Sequence, residues 1–214
     1  GVLGLDWLNA HEVAHQWWGD WVTYDDWKEI WLAEGLASYS EVLWVEHVAP
    51  DQVIPYLQSQ DALGFFTGPL YDNDVQFSNT VYDKASRVFH MLRNLVGDDA
   101  FFEALRLWQS AHGGASATTA DLREAMETAS RMELGWFFDQ WVYGPSRPHL
   151  QYASEVVAGP AVRLTVRQVQ TNVPPFRLPA AGAAMARLRV VSAAPLFAEA
   201  IRATHAAWRR PALN

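Results

Sequence analysis

The sequence predicts a mainly α fold followed by a small β-rich segment. Three observations predict it. Apolar residues recur at helical spacing from Trp7 to about Tyr143, glycine and proline cut that stretch into helix-length pieces, and the texture turns β-rich after Pro148. The division this implies is a helical domain over 1–148 and a β-rich C-terminal segment over 149–214. Half of the 214 residues are hydrophobic, enough for the longer piece to bury a sizeable core.

Each element has its own reason. Trp7 to Trp18 carries apolar residues at helical spacing and stops at Gly19; Trp31 to Val48 does the same and stops at Pro50. Asp51 to Leu63 is a weaker helix because Pro55 interrupts it, and Gly64 to Ser78 is a loop rich in Gly, Pro, Asn and Asp. Asn79 to Val96 is a strong helix, with Ser78 or Asn79 as its N-cap and Gly97 as its stop. Asp98 caps a helix to about His112, which the Gly113-Gly114 pair breaks. Thr118 or Thr119 caps the next, to about Arg131, and Glu133 to Tyr143 forms a last short one closed by Gly144-Pro145. Leu150–Val157 and Val162–Val169 read as strands, Leu188–Val191 as a further short strand, and the Ala- and Arg-rich tail from Pro195 as helical or loose. Eleven tryptophans, five of them between Trp17 and Trp31, predict a dense aromatic core.

Charge and composition exclude several roles. A formal net charge of −8 without basic runs argues against nucleic acid and anionic membrane as partners. Cysteine is absent, so any metal must be held by histidine and carboxylate. No apolar run approaches the ~20 residues of a membrane span. The opening Gly1-Val2-Leu3-Gly4-Leu5-Asp6-Trp7-Leu8 reads as the inside of a domain. The expectation is that further residues precede it, any targeting segment among them, with the bacterial periplasm or the cell exterior as the compartment.

The chemistry concentrates in His11-Glu12-Val13-Ala14-His15, a His-Glu-x-x-His pattern within a helical stretch. Residues four apart share a helix face, so both imidazoles reach one ion while Glu12 sits beside the open position. By composition alone the pattern arises in roughly one shuffled chain in a hundred, so chance is a poor account of it. A catalytic zinc site needs a third protein ligand and a position for water. Glu34 is the candidate, because it starts the next helix within an apolar segment where an unpaired carboxylate is costly. A helix-dipole glutamate or a buried salt bridge are the competing readings of the same residue. Two histidines and a carboxylate favour zinc, and such a site also accepts other divalent ions.

The motif and its surroundings resemble a known family. His11-Glu12-x-x-His15, 18 residues and then Glu34 is the gluzincin arrangement, and His11 to Asp20 with Trp31 to Tyr39 resemble the membrane-alanyl aminopeptidases. That family includes the leukotriene hydrolase/aminopeptidase. The resemblance implies a thermolysin-like helical zinc-peptidase catalytic domain, one Zn2+ per chain on His11, His15 and Glu34, and Glu12 as general base. Val81-Tyr82-Asp83-Lys84 resembles the segment whose tyrosine stabilises the tetrahedral intermediate, which implies that role for Tyr82.

Similarity continues through Phe89–Arg93, Gly97–Phe101 and Phe137–Val142 as scaffold, and residues 150–179 resemble the start of the β-sandwich that follows. The implied activity is hydrolysis of N-terminal peptide bonds in peptides with a free N-terminus. The alternative is a zinc-binding but inactive fragment, or a non-catalytic scaffold of the same fold. The family's Gly-x-Met-Glu-Asn segment, which binds the substrate's free amine, is not among these residues; Ala33 stands where Asn is common, and Ala85-Ser86 where Gly-Ala is usual. Asp20, Ser38 and Glu41 are the candidates for orienting the ligating histidines. His47, His90, His112, His149 and His205 read as structural or surface residues. The sequence fixes no oligomeric state.

Overall fold

The computed structural model describes residues 6–60, 68–157, 161–178 and 188–190, and it is mostly helical. The chain divides into two compact units, Gly1–Ser146 and Arg147–Asn214. The tail expected to be helical or loose lies outside the described residues, as do the first five residues and the end of the Asp51–Leu63 stretch.

In the first unit, helix α1 (Asp6–Ala14) packs on α2 (Trp31–Val48). Eleven of the 18 residues of α2 are buried, which is what a helix apolar on nearly every face requires. Strand β1 (Val22–Tyr24) and a short 3₁₀ turn (Trp27–Glu29) connect the two helices. A 3₁₀ turn over Pro50–Gln52 leads into α3 (Val53–Gln60). Pro55 is its third residue, in the first turn, where a missing N–H breaks no intrahelical bond. The chain returns through a π-helical turn (Thr80–Lys84) into α4 (Ala85–Val96), then α5 (Asp98–His112), β2 (Ala115–Ala117), α6 (Thr119–Ser130), α7 (Gly135–Phe138) and a second π-helical turn (Asp139–Tyr143).

Packing between α2 and α4 is unusually close. A Cβ placed on Gly35 would lie 2.5 Å from the Ala85 Cβ and 3.1 Å from the Phe89 ring, so only glycine fits there. Below this crossing Trp31 stacks on Phe89 at 5.2 Å, and Tyr39 meets Phe101 edge-on at 5.8 Å. Arg93 clamps the far end, with two hydrogen bonds to Glu46 on α2 (2.6 and 3.1 Å) and two to Asp98 at the start of α5 (both 2.9 Å). Thr118 caps α6 through a reciprocal capping box with Asp121.

Several details differ from the sequence reading. α1 ends at Ala14, four residues before Trp18, because the chain turns at His15–Trp17 and closes on Gly19, whose φ is +123°. The helix expected from Asn79 opens as a π-helical turn; Asn79 stands at its N-cap position but makes no side-chain capping bond, and its amide donates to Asp83 instead. Asp98 is the first residue of α5 rather than its cap, and its carboxylate holds Arg93. The five tryptophans do not form one core. Trp31 is buried, while Trp17, Trp21 and Trp27 are about half exposed, because the turn and the β1 edge carry them at the surface. β1 and β2 pair in parallel, Val22 with Ala115 and Tyr24 with Ala117, a pairing with no counterpart in the sequence reading.

In the second unit, β3 (Leu150–Val157) pairs antiparallel with β4 (Ala161–Gln168), from Leu150 opposite Gln168 to Val157 opposite Ala161. β4 pairs in parallel with β5 (Leu188–Val190).

Candidate metal centre

His11 lies on the buried face of α1 and His15 just beyond its last residue. The bond from the His15 N–H to the His11 carbonyl, 3.3 Å, continues the helical path one residue further and keeps both rings on one face. Their Nε2 atoms lie 3.2 Å apart. Oε2 of Glu34, in the first turn of α2, lies 3.4 Å from each. Among the described residues these three form the one group of histidine and carboxylate able to hold a metal ion, with their ligand atoms within 4.8 Å of one another.

Both rings are oriented from behind. The His11 Nδ1–H donates to Oε1 of Glu41 at 2.7 Å, and the His15 Nδ1–H donates to the Trp18 carbonyl at 2.9 Å. Acceptors at both Nδ1 positions leave both Nε2 lone pairs facing one point together with a carboxylate oxygen. Three converging lone pairs repel unless a cation lies between them. In the metal-free chain the proton is that cation. Burial pulls His11 down, but its bonds to Glu34 and Glu41 outweigh burial and raise it to about 9. Glu34 raises His15 as well, against its burial. Burial would push Glu34 up, yet the two imidazoles hold it at about 2.

Around this point opens a cleft of about 790 Å³, lined among others by Trp7, Glu12, Ser38, Tyr56, Gln60, Asn79, Tyr82 and Asp83. Glu12 is exposed, on the cleft side of α1. Tyr82 stands on the opposing π-helical turn, and its ring stacks over His11 at 6.0 Å. Burial first, then the charges of Glu34 and Glu12, push its hydroxyl up to about 12, so it keeps its proton at neutral pH. The extra residue of a π turn displaces the side chain relative to a regular helix, and such turns recur at functional sites.

Of the three candidates for orienting the histidines, Glu41 does so. Asp20 instead accepts from the Gln16 amide at the surface, and Ser38 is buried in the cleft wall. The sequence reading missed two participants. The Trp18 carbonyl is a backbone group with no sequence signature. Tyr56, on α3, donates its hydroxyl proton to Oε2 of Glu41; the tyrosine after Pro55 carries no local sign of that contact.

The chain is similar to known proteins over most of its first unit. The family model described as the peptidase family M1 domain matches residues 7–141. An aminopeptidase N of Lactobacillus helveticus is 34% identical over 155 residues, which are 65% of this chain and 18% of that protein. Human glutamyl aminopeptidase is 30% identical over 148 residues, 62% of this chain and 15% of that protein. The chain thus spans under a fifth of the length of these relatives. A crystal structure of an M1 zinc metallopeptidase from Deinococcus radiodurans, bound to a Tyr-Ser-Ala substrate, superposes with a TM-score of 0.61 at 30% identity, covering 67% of this chain and 34% of that one.

Proposed function

The chain belongs to peptidase family M1, and from that premise we propose that it carries the catalytic centre of a zinc aminopeptidase, with one zinc ion on His11, His15 and Glu34. The observation that carries the reading is the convergence of two imidazole Nε2 atoms and one carboxylate oxygen on a single point at the cleft. That donor set, borderline nitrogen with one hard oxygen and no thiolate, fits Zn2+. When bound, the ion would act as a Lewis acid toward a water molecule and the substrate carbonyl.

This chain's own residues do the rest. Glu41 and the Trp18 carbonyl fix the two imidazoles in the tautomer that presents Nε2. Glu12, exposed to the cleft, takes a proton from the attacking water as the new C–O bond forms. It returns that proton to the amine nitrogen as the C–N bond breaks. Tyr82, held protonated, donates a hydrogen bond to the carbonyl oxygen as it gains charge. The substrates are peptides with a free N-terminus, as the names of the aminopeptidase relatives suggest. On the same reading residues 1–148 belong to a thermolysin-like catalytic domain, and 149–214 open a β-sandwich. Among the described residues, no helix is long and apolar enough to cross a membrane.

The test is hydrolysis of an aminoacyl amide and of its N-acetylated twin by the purified chain, with and without chelator. Chelator-sensitive cleavage of the free-amine substrate alone is the expected result. Cleavage of both keeps a metallopeptidase and removes the N-terminal specificity. Cleavage of neither, with zinc retained, leaves a metal-binding module without turnover.

A further inference from the structure

We propose that Tyr56 is a positioning residue for the metal ligand His11, acting through Glu41. The proposal rests on the reading of His11 as a zinc ligand.

Glu41 is 6% exposed and has two carboxylate oxygens to satisfy. Oε1 takes the His11 Nδ1–H at 2.7 Å, and Oε2 takes the Tyr56 hydroxyl. The last torsion of a glutamate side chain is broad and weakly staggered, so one hydrogen bond does not fix the carboxylate plane. The second bond does, and it comes from α3, a different helix from the one that carries Glu41. Tyr56 therefore turns a swivelling acceptor into a fixed one, and the fixed acceptor sets the plane of the His11 ring. His15 has no such need, because its Nδ1–H donates to a backbone carbonyl that cannot rotate freely. The two ligands are thus held by different means, one by a turn of main chain and one by a relay of side chains. Tyr56 also lines the cleft, so the relay joins the cleft wall to the back of the ligand.

Outer partners of metal-bound histidine change affinity by about 10- to 100-fold when removed. Tyr56→Phe keeps the ring and removes only the hydroxyl. The chain is loaded with zinc and titrated against a chromophoric chelator, and the absorption spectrum of its cobalt(II)-substituted form is recorded. Expected for Tyr56→Phe is about tenfold weaker zinc binding and a shifted cobalt spectrum, with the thermal midpoint of the metal-free chain close to that of the parent. Introduced into Glu41→Ala, which removes the shared carboxylate, the same substitution should add little, because the relay is already cut. That second background decides the matter even if Tyr56→Phe lowers stability. Unchanged zinc affinity and cobalt spectrum in Tyr56→Phe, or an equal loss in both backgrounds, overturns the proposal. Failure of the parent chain to bind zinc at all would instead overturn the metal centre itself, and the relay with it.

Discussion

Glu12 and Tyr82 face the same cleft from opposite walls, and their substitutions should separate binding from chemistry. Glu12→Gln preserves shape and leaves His11, His15 and Glu34 untouched. Zinc content by metal analysis should stay at the parent level while kcat/KM falls about 10²- to 10⁴-fold. Retained turnover would remove Glu12 as the base. Tyr82→Phe deletes one donor aimed at the developing charge. It should lower kcat by about 10² with KM little changed, and an effect confined to KM would assign the phenol to ground-state binding. At this scale the His-Glu-x-x-His spacing singled out His11, Glu12 and His15, the apolar surroundings of Glu34 made it the candidate third ligand, and the resemblance added Tyr82. The sequence was silent where a partner is a backbone carbonyl, as at Trp18, or lies on another helix, as with Tyr56, since neither leaves a local pattern.

At the level of elements, the contact of Gly35 with Ala85 places the π-helical turn against the start of α2. Glu34 is the residue before that glycine, and Tyr82 lies three before that alanine, so this one close approach sets the distance between ligand and phenol. Gly35→Ala would put a methyl 2.5 Å from the Ala85 Cβ, and α4 must move to admit it. Overpacking of this kind costs about 1–3 kcal/mol, and it outweighs the smaller helix-propensity gain of alanine over glycine. A lower thermal midpoint together with a reduced kcat is expected; a variant as stable as the parent would mean that the crossing yields easily. Helix extents were legible from Pro50 and Gly97, both acting as stops, but not at Gly19, since α1 already ends at Ala14. The π turns were not, because a single inserted residue leaves the apolar spacing nearly unchanged. β1 and β2 escaped notice because three residues each give too short a pattern to recognise, and their partners are far apart in the chain.

For the whole molecule, the converging donors make stability depend on pH and on metal together. In the metal-free chain His11 rises from 6.5 to about 9, so its contribution is complete below about pH 6.5 and is lost as pH rises through 9. Glu34 falls from 4.5 to about 2, so its contribution is present above about pH 4.5 and is lost as pH falls through 2. Both values report one shared contact, which counts once. Thermal midpoints without metal should therefore be highest between about pH 4.5 and 6.5 as far as this cluster decides them. Zinc must displace the His11 proton, so the midpoint gained on adding zinc should grow from about pH 6.5 to about 9. A zinc increment independent of pH across that window would show that the ion binds elsewhere.

The parallel pairing of β1 with β2 bears on when the centre comes into being. The turn that presents the Trp18 carbonyl to His15 is tied to β1 by bonds from the Val22 N–H to the Trp17 carbonyl and from the Gly19 N–H to the Val22 carbonyl. β1 in turn is held by residues made much later: 91 positions separate Asp25 from Ser116, whose side chains are hydrogen-bonded. During synthesis all three donor residues leave the ribosome before the strand that steadies one of them. A nascent chain stopped short of residue 115 already spells the metal site but lacks the strand that anchors its turn.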